Sequence, residues 1–225
     1  HALPCGAVED RDFDMFQFTP SSIHPDHNID PDPRTRIFFL RYRGANRTNT
    51  PQTPARTRIR SRDHPSGLPN VPDAHKRELR TANRIVRRTA VLMQTAANSG
   101  AEFAIENPAD RGDPNDPCLF QFKEHAPIFL MPEMLELKAK NKCKMVTFAQ
   151  CLLGSPHQKY TTIMFTPKLE FLFRILDKGW CTHPPGTHEP AGGKFNAETG
   201  EWNSKKAAAY PGLMNVFIGL GLAYS

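Results

Sequence analysis

The chain has 225 residues and carries 29 Arg and Lys residues against 23 Asp and Glu residues, a net charge of +6. This length suits one domain, with or without an appendage, and the basic balance suits a polyanionic partner. No apolar run approaches the roughly 20 residues that cross a bilayer, so a membrane protein is not expected.

The five cysteines are odd in number and lack paired spacing. Free thiols in a reducing compartment are therefore expected, and we predict an intracellular location, in the nucleus or the cytoplasm. We expect no signal peptide. Because the first residue is His rather than Met, we also expect a fragment, a processed product or an incomplete gene model.

The first 55 residues change from acidic to basic and are rich in proline, which predicts a poorly ordered or divergent segment. Residues 1–33 hold seven acids and one arginine, and we assign no element there. Residues 37–40, Ile-Phe-Phe-Leu, predict a short strand. The folded domain is expected to span residues 56–225.

Residues 34–88 concentrate positive charge, with fifteen Arg and Lys residues against three acids. Between residues 56 and 62 every second residue is Arg, so an extended chain would put several guanidinium groups on one face. A guanidinium donates two hydrogen bonds at once to phosphate. This concentration favours nucleic-acid binding over the alternative, a solvated basic loop. The predicted contacts with DNA are Arg56, Arg58, Arg60, Arg62, Arg84 and Lys159.

A helix is predicted over residues 74–99, where apolar residues recur at helical spacing. Asp73 is expected to cap its start and Gly100 to end it. Asn83 lies among small and apolar neighbours. We expect Asn83 to be solvated, with a polar contact to the next loop as the alternative.

The central motif follows, where the apolar run 103–105 ends abruptly in Glu106-Asn107-Pro108. A buried strand that ends in this way delivers polar groups to the carboxyl edge of a sheet, where open α/β folds bind their ligands. The helix, Gly100 and the strand form an α-turn-β step. That step predicts an α/β fold with a doubly wound sheet.

Shorter elements are predicted in the second half of the chain. They are a helix at 133–139, strands at 144–148 and 161–165, an amphipathic helix at 168–178 ended by Gly179, and an apolar tail at 207–222 that packs back as helix or strand. Gln150-Cys151 follow the first of these strands, and the chain turns at Gly154. Cys151 is expected to be a small buried thiol.

Cys181, His183 and His188 could bind zinc with a fourth ligand from elsewhere. Their spacing matches no closed zinc site. The favoured interpretation is a histidine-bearing loop that contacts phosphate or water, so no metal is expected.

Short motifs recur in one order along residues 56–217. They are Arg60-Ser61, His64-Pro65, Gly67-Leu68-Pro69, Ala82-Asn83, Ile105-Glu106-Asn107-Pro108, Gln150-Cys151 with Gly154, Lys159-Tyr160-Thr161, Cys181 with His183 and His188, and Ala208-Ala209-Tyr210-Pro211 with Leu213 and Asn215. The ordered series resembles the DNA cytosine-5 methyltransferase-like domains carried by some phages and tyrosine-recombinase retroelements.

The resemblance implies a Rossmann-like class I methyltransferase fold that uses S-adenosylmethionine. In that chemistry a cysteine thiolate adds to C6 of a flipped-out cytosine. The resemblance assigns Glu106, with Asn107 and Pro108, to the element that holds N3 and the exocyclic amine of the base. A carboxyl group there stabilises the charge that the addition pushes toward N3.

The chain departs from this family at the methyl-donor site and at the nucleophile. No Phe-x-Gly-x-Gly precedes the motif series, so the fold is expected to be truncated on its N-terminal, methyl-donor-binding side. The late Phe217-Ile-Gly-Leu-Gly221 has that shape and raises a circular permutation as an alternative. Cys5, after Pro4, is the candidate nucleophile, and the segment 19–22 is another candidate relic. Cys151 lies after the glutamate rather than before it and is the weaker choice.

Three functions remain open at this point. The first is an active or inactive DNA cytosine-5 methyltransferase-like domain of mobile-element origin. The second is a non-catalytic nucleic-acid-binding domain derived from the same fold. The third is a small metal-stabilised interaction module.

Overall fold

A computed structural model describes the chain at residues 13–17, 37–42, 58–116, 118–121, 123–184, 186–189, 195–196, 201–202 and 209–224. The helices are α1 (Asp73–Asn98), α2 (Pro132–Lys140), α3 (Glu170–Phe173) and α4 (Gly212–Tyr224). The strands are β1 (Phe13–Gln17), β2 (Ile37–Tyr42), β3 (Glu102–Pro108), β4 (Lys144–Ala149), β5 (Tyr160–Phe165), β6 (Phe195–Asn196) and β7 (Glu201–Trp202). None of the helices in these ranges is both long enough and apolar enough to cross a membrane.

Five strands form one mixed sheet in the order β1-β2-β3-β5-β4, and β6 pairs with β7. β2 and β3 are parallel and α1 lies between them in the chain, which is a β-α-β connection. The pairs β1–β2, β3–β5 and β5–β4 are antiparallel. The described region is therefore mixed α/β, and the doubly wound, Rossmann-like arrangement stays a prediction.

The sheet is covered by a hydrophobic cluster on each face because side chains alternate along β3. Phe103 and Ile105 belong to one cluster, and Ala104 belongs to the other. The first cluster includes Val86 and Met93 of α1, Met134 and Leu137 of α2, and Met164 of β5. The second includes Phe148, Ile163, Phe165, Leu172, Phe173, Met214 and Ile218. Glu106, two residues after Ala104, lies on the face that α3 and α4 cover.

The helix predicted over 74–99 is confirmed as α1, but its cap differs from the expectation. Asp73 lies in the first turn, where its carboxylate pairs with Lys76 at 2.7 Å, and Pro72 at the N-cap makes no side-chain cap. At the other end the backbone reaches a φ of +81° at Gly100. A residue without Cβ adopts that conformation at little cost, so the chain turns there into β3.

Asn83 is not the solvated residue that we expected. Its Nδ2 donates to the carbonyl oxygen of Ser66 at 2.7 Å, and its Oδ1 accepts from Arg60 at 2.6 Å. The prediction was wrong because the small neighbours of Asn83 leave space for the preceding loop, 58–72, to pack against α1. The amide then satisfies polar groups of that loop, which burial would otherwise leave without partners.

The predictions for α2, β2, β4 and β5 are confirmed, and the apolar tail ends as the helix α4. The helix predicted at 168–178 is instead three short turns, Pro167–Leu169, α3 and Arg174–Leu176. Leu169, Leu172 and Phe173 still enter the second cluster. Their spacing of three and one suits tight i to i+3 turns as well as it suits an α-helix, so periodicity alone did not separate the two.

Within the first 55 residues the structure places two strands. β2 was predicted; β1 lies in the acidic segment where we assigned no element, and it pairs with β2. The order of the remaining residues in this segment stays a prediction, since they lie outside the described ranges. Cys5 and Arg56 lie outside them as well.

Candidate functional site

Glu106 lies near the carboxyl end of β3 with its side chain only 1% exposed. On one side of β3 the neighbouring strand is β5, where Ile163 lies opposite Glu106 and Thr161 lies opposite Pro108. A carboxylate at such a depth is costly unless polar groups surround it. The surrounding groups therefore define the site.

Among the side chains that the structure describes in full, three donate to the Glu106 carboxylate. Thr161 Oγ1 donates to Oε1 at 2.9 Å, and Lys159 Nζ donates to the same oxygen at 3.3 Å. Tyr210 donates its hydroxyl to Oε2 at 3.2 Å. The donors come from the start of β5, the residue before it, and the segment that precedes α4. Segments more than 100 residues apart therefore converge on one carboxylate.

Gln150 extends this network by one residue. Its Nε2 donates to Thr161 Oγ1 at 2.9 Å, and the Thr161 hydroxyl in turn donates to Glu106, so this hydroxyl both accepts and donates a hydrogen bond. The Gln150 side chain is buried, and its Oε1 has no hydrogen-bond partner among the described residues. Gly154 ends the turn that carries Gln150 at a φ of +88°. Five of the predicted motif residues thus meet: Glu106, Gln150, Lys159, Thr161 and Tyr210.

Asn107 and Pro108 do not join this network. Asn107 is fully buried, and strand alternation places it on the sheet face opposite to Glu106, with Phe103 and Ile105. The backbone of β3 continues past Pro108 to Ala109, whose N–H donates to the carbonyl oxygen of Tyr160 at 3.0 Å. The three motif residues therefore serve two different faces of the sheet.

The arginines of the segment 58–62 bind protein groups. Arg60 bonds to Asn83, the carbonyl oxygen of Pro65 and the sulfur of Met131. Arg62 pairs with Asp110 at 2.7 Å, and Arg58 lies 3.9 Å from Glu124. The alternating arginines were predicted to contact DNA phosphates. In the structure Arg60 and Arg62 instead bond to groups of the protein itself.

Asp110, the partner of Arg62, lies just beyond the end of β3. Burial raises the pKa of this carboxyl group, but hydrogen bonding to His125, to the backbone N–H of Gly112 and to Arg62 outweighs burial and holds the pKa below its ordinary value. The Arg62–Asp110 pair thus ties the loop before α1 to the loop after β3.

Arg84 lies in an exposed row on α1. Arg77, Arg80, Arg84 and Arg88 are all exposed, and their spacings of three and four residues bring them onto one side of the helix. Arg87 is turned aside and pairs with Glu133 of α2 at 2.8 Å. Of the predicted DNA contacts that the structure describes, Arg58 and Arg84 are the exposed ones.

A second cluster lies beside the Glu106 network. Cys181, His183 and His188 are joined by Cys151, and one ligand atom from each residue lies within 4.8 Å of all the others. Cys181 Sγ is 3.5 Å from His183 Nδ1 and 3.1 Å from His188 Nε2. The sequence pointed to three of these residues and missed the fourth. The available signal was Gln150-Cys151 itself, a thiol beside an amide in the turn directly after a strand.

The two thiols of this cluster differ in acidity. Burial raises the pKa of Cys181, but hydrogen bonds from His188 and His183 outweigh it and lower the pKa to about 6. Burial and the neighbouring Cys181 raise the pKa of Cys151 to about 11. At neutral pH the thiolate is therefore on Cys181, the less buried of the two cysteines.

The chain matches no protein-family model, no curated protein and no solved structure. The site therefore has to be interpreted from its own geometry.

Proposed function

We propose that this chain is a DNA cytosine-5 methyltransferase-like domain that holds a flipped-out cytosine through Glu106. The observation that supports the proposal is the buried carboxylate at the end of β3, with Thr161, Lys159 and Tyr210 as its donors. The position also fits, since α/β folds bind ligands at strand ends.

The chemistry of the site suits the edge of a cytosine. One oxygen of the carboxyl group can accept from the exocyclic amine, and the other, in the protonated form, can donate to N3, while Thr161 holds the orientation of the group. Lys159, with 19% of its side chain exposed, is a donor to the buried carboxylate that solvent can reach. A base that enters would replace the contact of Lys159 with Glu106 and would leave the buried hydrogen bonds of Thr161 and Gln150 intact.

S-adenosylmethionine is the methyl donor that this family uses. Within the described ranges no glycine-rich loop connects a strand to a helix in the manner that the donor requires, and Cys5 lies outside those ranges. The proposed mechanism is therefore confined to base holding, and no step is assigned to the donor.

A second function, non-catalytic binding of nucleic acid, is favoured by the exposed arginine row of α1, with Arg84 near its centre. Such a row neutralises phosphates without reading bases. It is compatible with the first function as well, because a base-flipping domain also needs a DNA-facing surface.

A DNA-binding experiment separates base holding from backbone binding. Affinity is measured by fluorescence anisotropy for a matched duplex and for a duplex whose cytosine lies opposite an abasic site, which lowers the cost of flipping. We expect the unmodified protein to prefer the second duplex by about 10-fold or more, and Glu106→Gln to lose that preference. Glu102→Gln, at the other end of the same strand, is the matched control.

The arginine row gives the contrasting result. Arg84→Ala should weaken binding to both duplexes equally and make the salt dependence shallower. Equal affinity of the unmodified protein for both duplexes would overturn base holding and favour the second function. Calorimetry with S-adenosylmethionine then tests catalysis, since the absence of heat would exclude methyl transfer by this chain.

A further inference from the structure

We propose that Cys151, Cys181, His183 and His188 bind one structural Zn²⁺ ion. Two thiols and two imidazoles are a ligand set that zinc takes in closed, four-coordinate sites. The proposal does not rest on base holding by Glu106, and it assigns to the chain a ligand that the sequence did not predict.

The distances agree with one tetrahedral ion. Zinc–sulfur and zinc–nitrogen bonds of about 2.3 and 2.0 Å put neighbouring ligand atoms about 3.3 to 3.8 Å apart. The two measured separations from Cys181 Sγ are 3.1 Å and 3.5 Å, and all four ligand atoms lie within 4.8 Å of one another. Closure around an ion therefore needs only small side-chain movements. The edge-on arrangement of the His183 and His188 rings, 4.9 Å between centroids, lets both rings present a nitrogen to one point.

The short distances within this set of four residues, and their chemistry, also favour zinc over other metal groups. An iron–sulfur cluster bound by two Cys and two His distributes these ligands over two irons, which requires a wider separation than this set has. Calcium and magnesium require oxygen ligands, which this set lacks. Two thiolates neutralise a divalent ion, and four protein ligands leave no position for a water molecule, which is typical of a structural rather than a catalytic zinc site.

Backbone hydrogen bonds already fix both ends of the loop that carries Cys181, His183 and His188. Ahead of Cys181, the carbonyl oxygen of Gly179 accepts from Ala149 at 2.8 Å. Beyond His188, the N–H of Glu189 donates to Pro156 at 3.0 Å. Because the loop returns to both sides of the turn Gln150–Leu153, the ion would bind to a site that folding has largely assembled.

The ion would support the Glu106 network from outside. Cys151 follows Gln150, which bonds to Thr161, and the N–H of Cys181 donates to the hydroxyl of Tyr160 at 3.3 Å. Both connections reach the start of β5. We infer that the zinc holds the loop 181–188 against this end of the sheet and thereby keeps Gln150 and Tyr160 in place.

Metal analysis of the full chain tests the proposal. The protein is expressed with added zinc, purified without chelators and analysed by plasma mass spectrometry; we expect about one zinc per chain. Cobalt added to the metal-free protein should give the intense visible bands of a tetrahedral ion, together with sulfur-to-cobalt charge transfer. This spectrum comes from the unmodified protein, so it stands even if a variant fails to fold.

Variants identify the ligands. Loss of a residue that only supports a metal ligand weakens metal binding by about 10- to 100-fold. Cys151→Ser and His188→Gln each remove a ligand itself, so each should weaken binding by more than that. Cys118→Ser and Cys143→Ser, which change an exposed and a buried cysteine outside the cluster, should retain the metal. Zinc-free protein with the weak spectrum of octahedral cobalt would overturn the proposal, and so would a Cys151–Cys181 disulfide under reducing conditions.

Discussion

Thr161 and Glu106 are joined by a hydrogen bond of 2.9 Å across the antiparallel pair β3–β5, and both side chains are buried. The threonine hydroxyl is also the acceptor for Gln150. One hydroxyl therefore orients both a carboxylate and an amide, which makes Thr161 the centre of the network rather than an accessory to it.

Thr161→Val should destabilise the fold by about 1 to 3 kcal/mol, because it removes a donor from Glu106 and an acceptor from Gln150 in a buried place. The measurement is urea unfolding. Thr162→Val, one residue along the same strand, removes a hydroxyl whose described contact is Thr147, a half-buried partner that water can reach, and it should cost less. An equal loss in both variants would contradict the central role of Thr161.

Lys159→Met should destabilise the protein because it leaves the Glu106 charge with fewer donors. Removal of one partner from a buried pair costs about 3 to 5 kcal/mol, and we expect the lower part of that range or less, since Lys159 is partly exposed and water screens it. Adding Glu106→Gln should recover part of the loss, since the remaining side chain is then neutral. A double-mutant cycle measures the coupling, and strictly additive losses would contradict it.

Asp110 should make stability fall at acid pH. Its folded-state pKa lies below the ordinary value of 3.8, so its contribution is complete above that value and is lost as pH falls through the folded-state pKa. Asp110→Asn should therefore flatten the decline of stability below about pH 4. Urea midpoints measured across this range give the comparison. Asp113→Asn is the control substitution, since the described side-chain contacts of Asp113 are confined to Asn115.

Asn83→Ala should cost about 1 to 3 kcal/mol, since it leaves Arg60 and the carbonyl oxygen of Ser66 with one partner fewer each. Its neighbour Arg84 is exposed, and Arg84→Ala should leave stability within about 0.5 kcal/mol of the unmodified protein. Thermal unfolding measures both. The pair therefore separates residues that maintain the fold from residues that are available to bind DNA, and a stability loss at Arg84 would remove that distinction.

Zinc removal should loosen one region only. We expect a chelator to speed hydrogen exchange at the amides of Cys181 and Glu189, while the amides of α1 stay protected. In Cys151→Ser the same amides should exchange fast without chelator, and the chelator should add nothing. Uniform loss of protection along the chain would mean that the ion stabilises the whole fold.

The sequence predicted the elements whose signals are local. α1 and β3 follow from apolar spacing and from Gly100, and the polar end of β3 drew attention to Glu106, whose role at a site stays a prediction. Tyr210 was visible only as part of a motif, because its contact with Glu106 spans 104 residues and leaves no local trace. Cys151 was predicted to be a buried thiol but not a metal ligand, because its approach to Cys181, His183 and His188 depends on how distant segments pack.

Charge patterns were the least informative. The alternating arginines predicted one exposed basic face, yet Arg60 and Arg62 reach Asn83 and Asp110. A guanidinium fits a carboxylate or an amide oxygen as well as it fits a phosphate, so composition cannot choose among these partners. The partners of these arginines depend on where the loop 58–62 packs relative to α1 and to the end of β3. No short stretch of sequence specifies that packing.

The placement of Glu106 and Asn107 on opposite faces of β3 has a consequence for sequence change. Deleting or inserting one residue between Gly100 and Glu106 would rotate every later side chain to the other face. A carboxylate would then enter the apolar layer against α1 and α2, and Asn107 would face Lys159. The number of residues between the end of α1 and Glu106 is therefore fixed by the fold. Insertions and deletions in β3 should be far less tolerated than substitutions there.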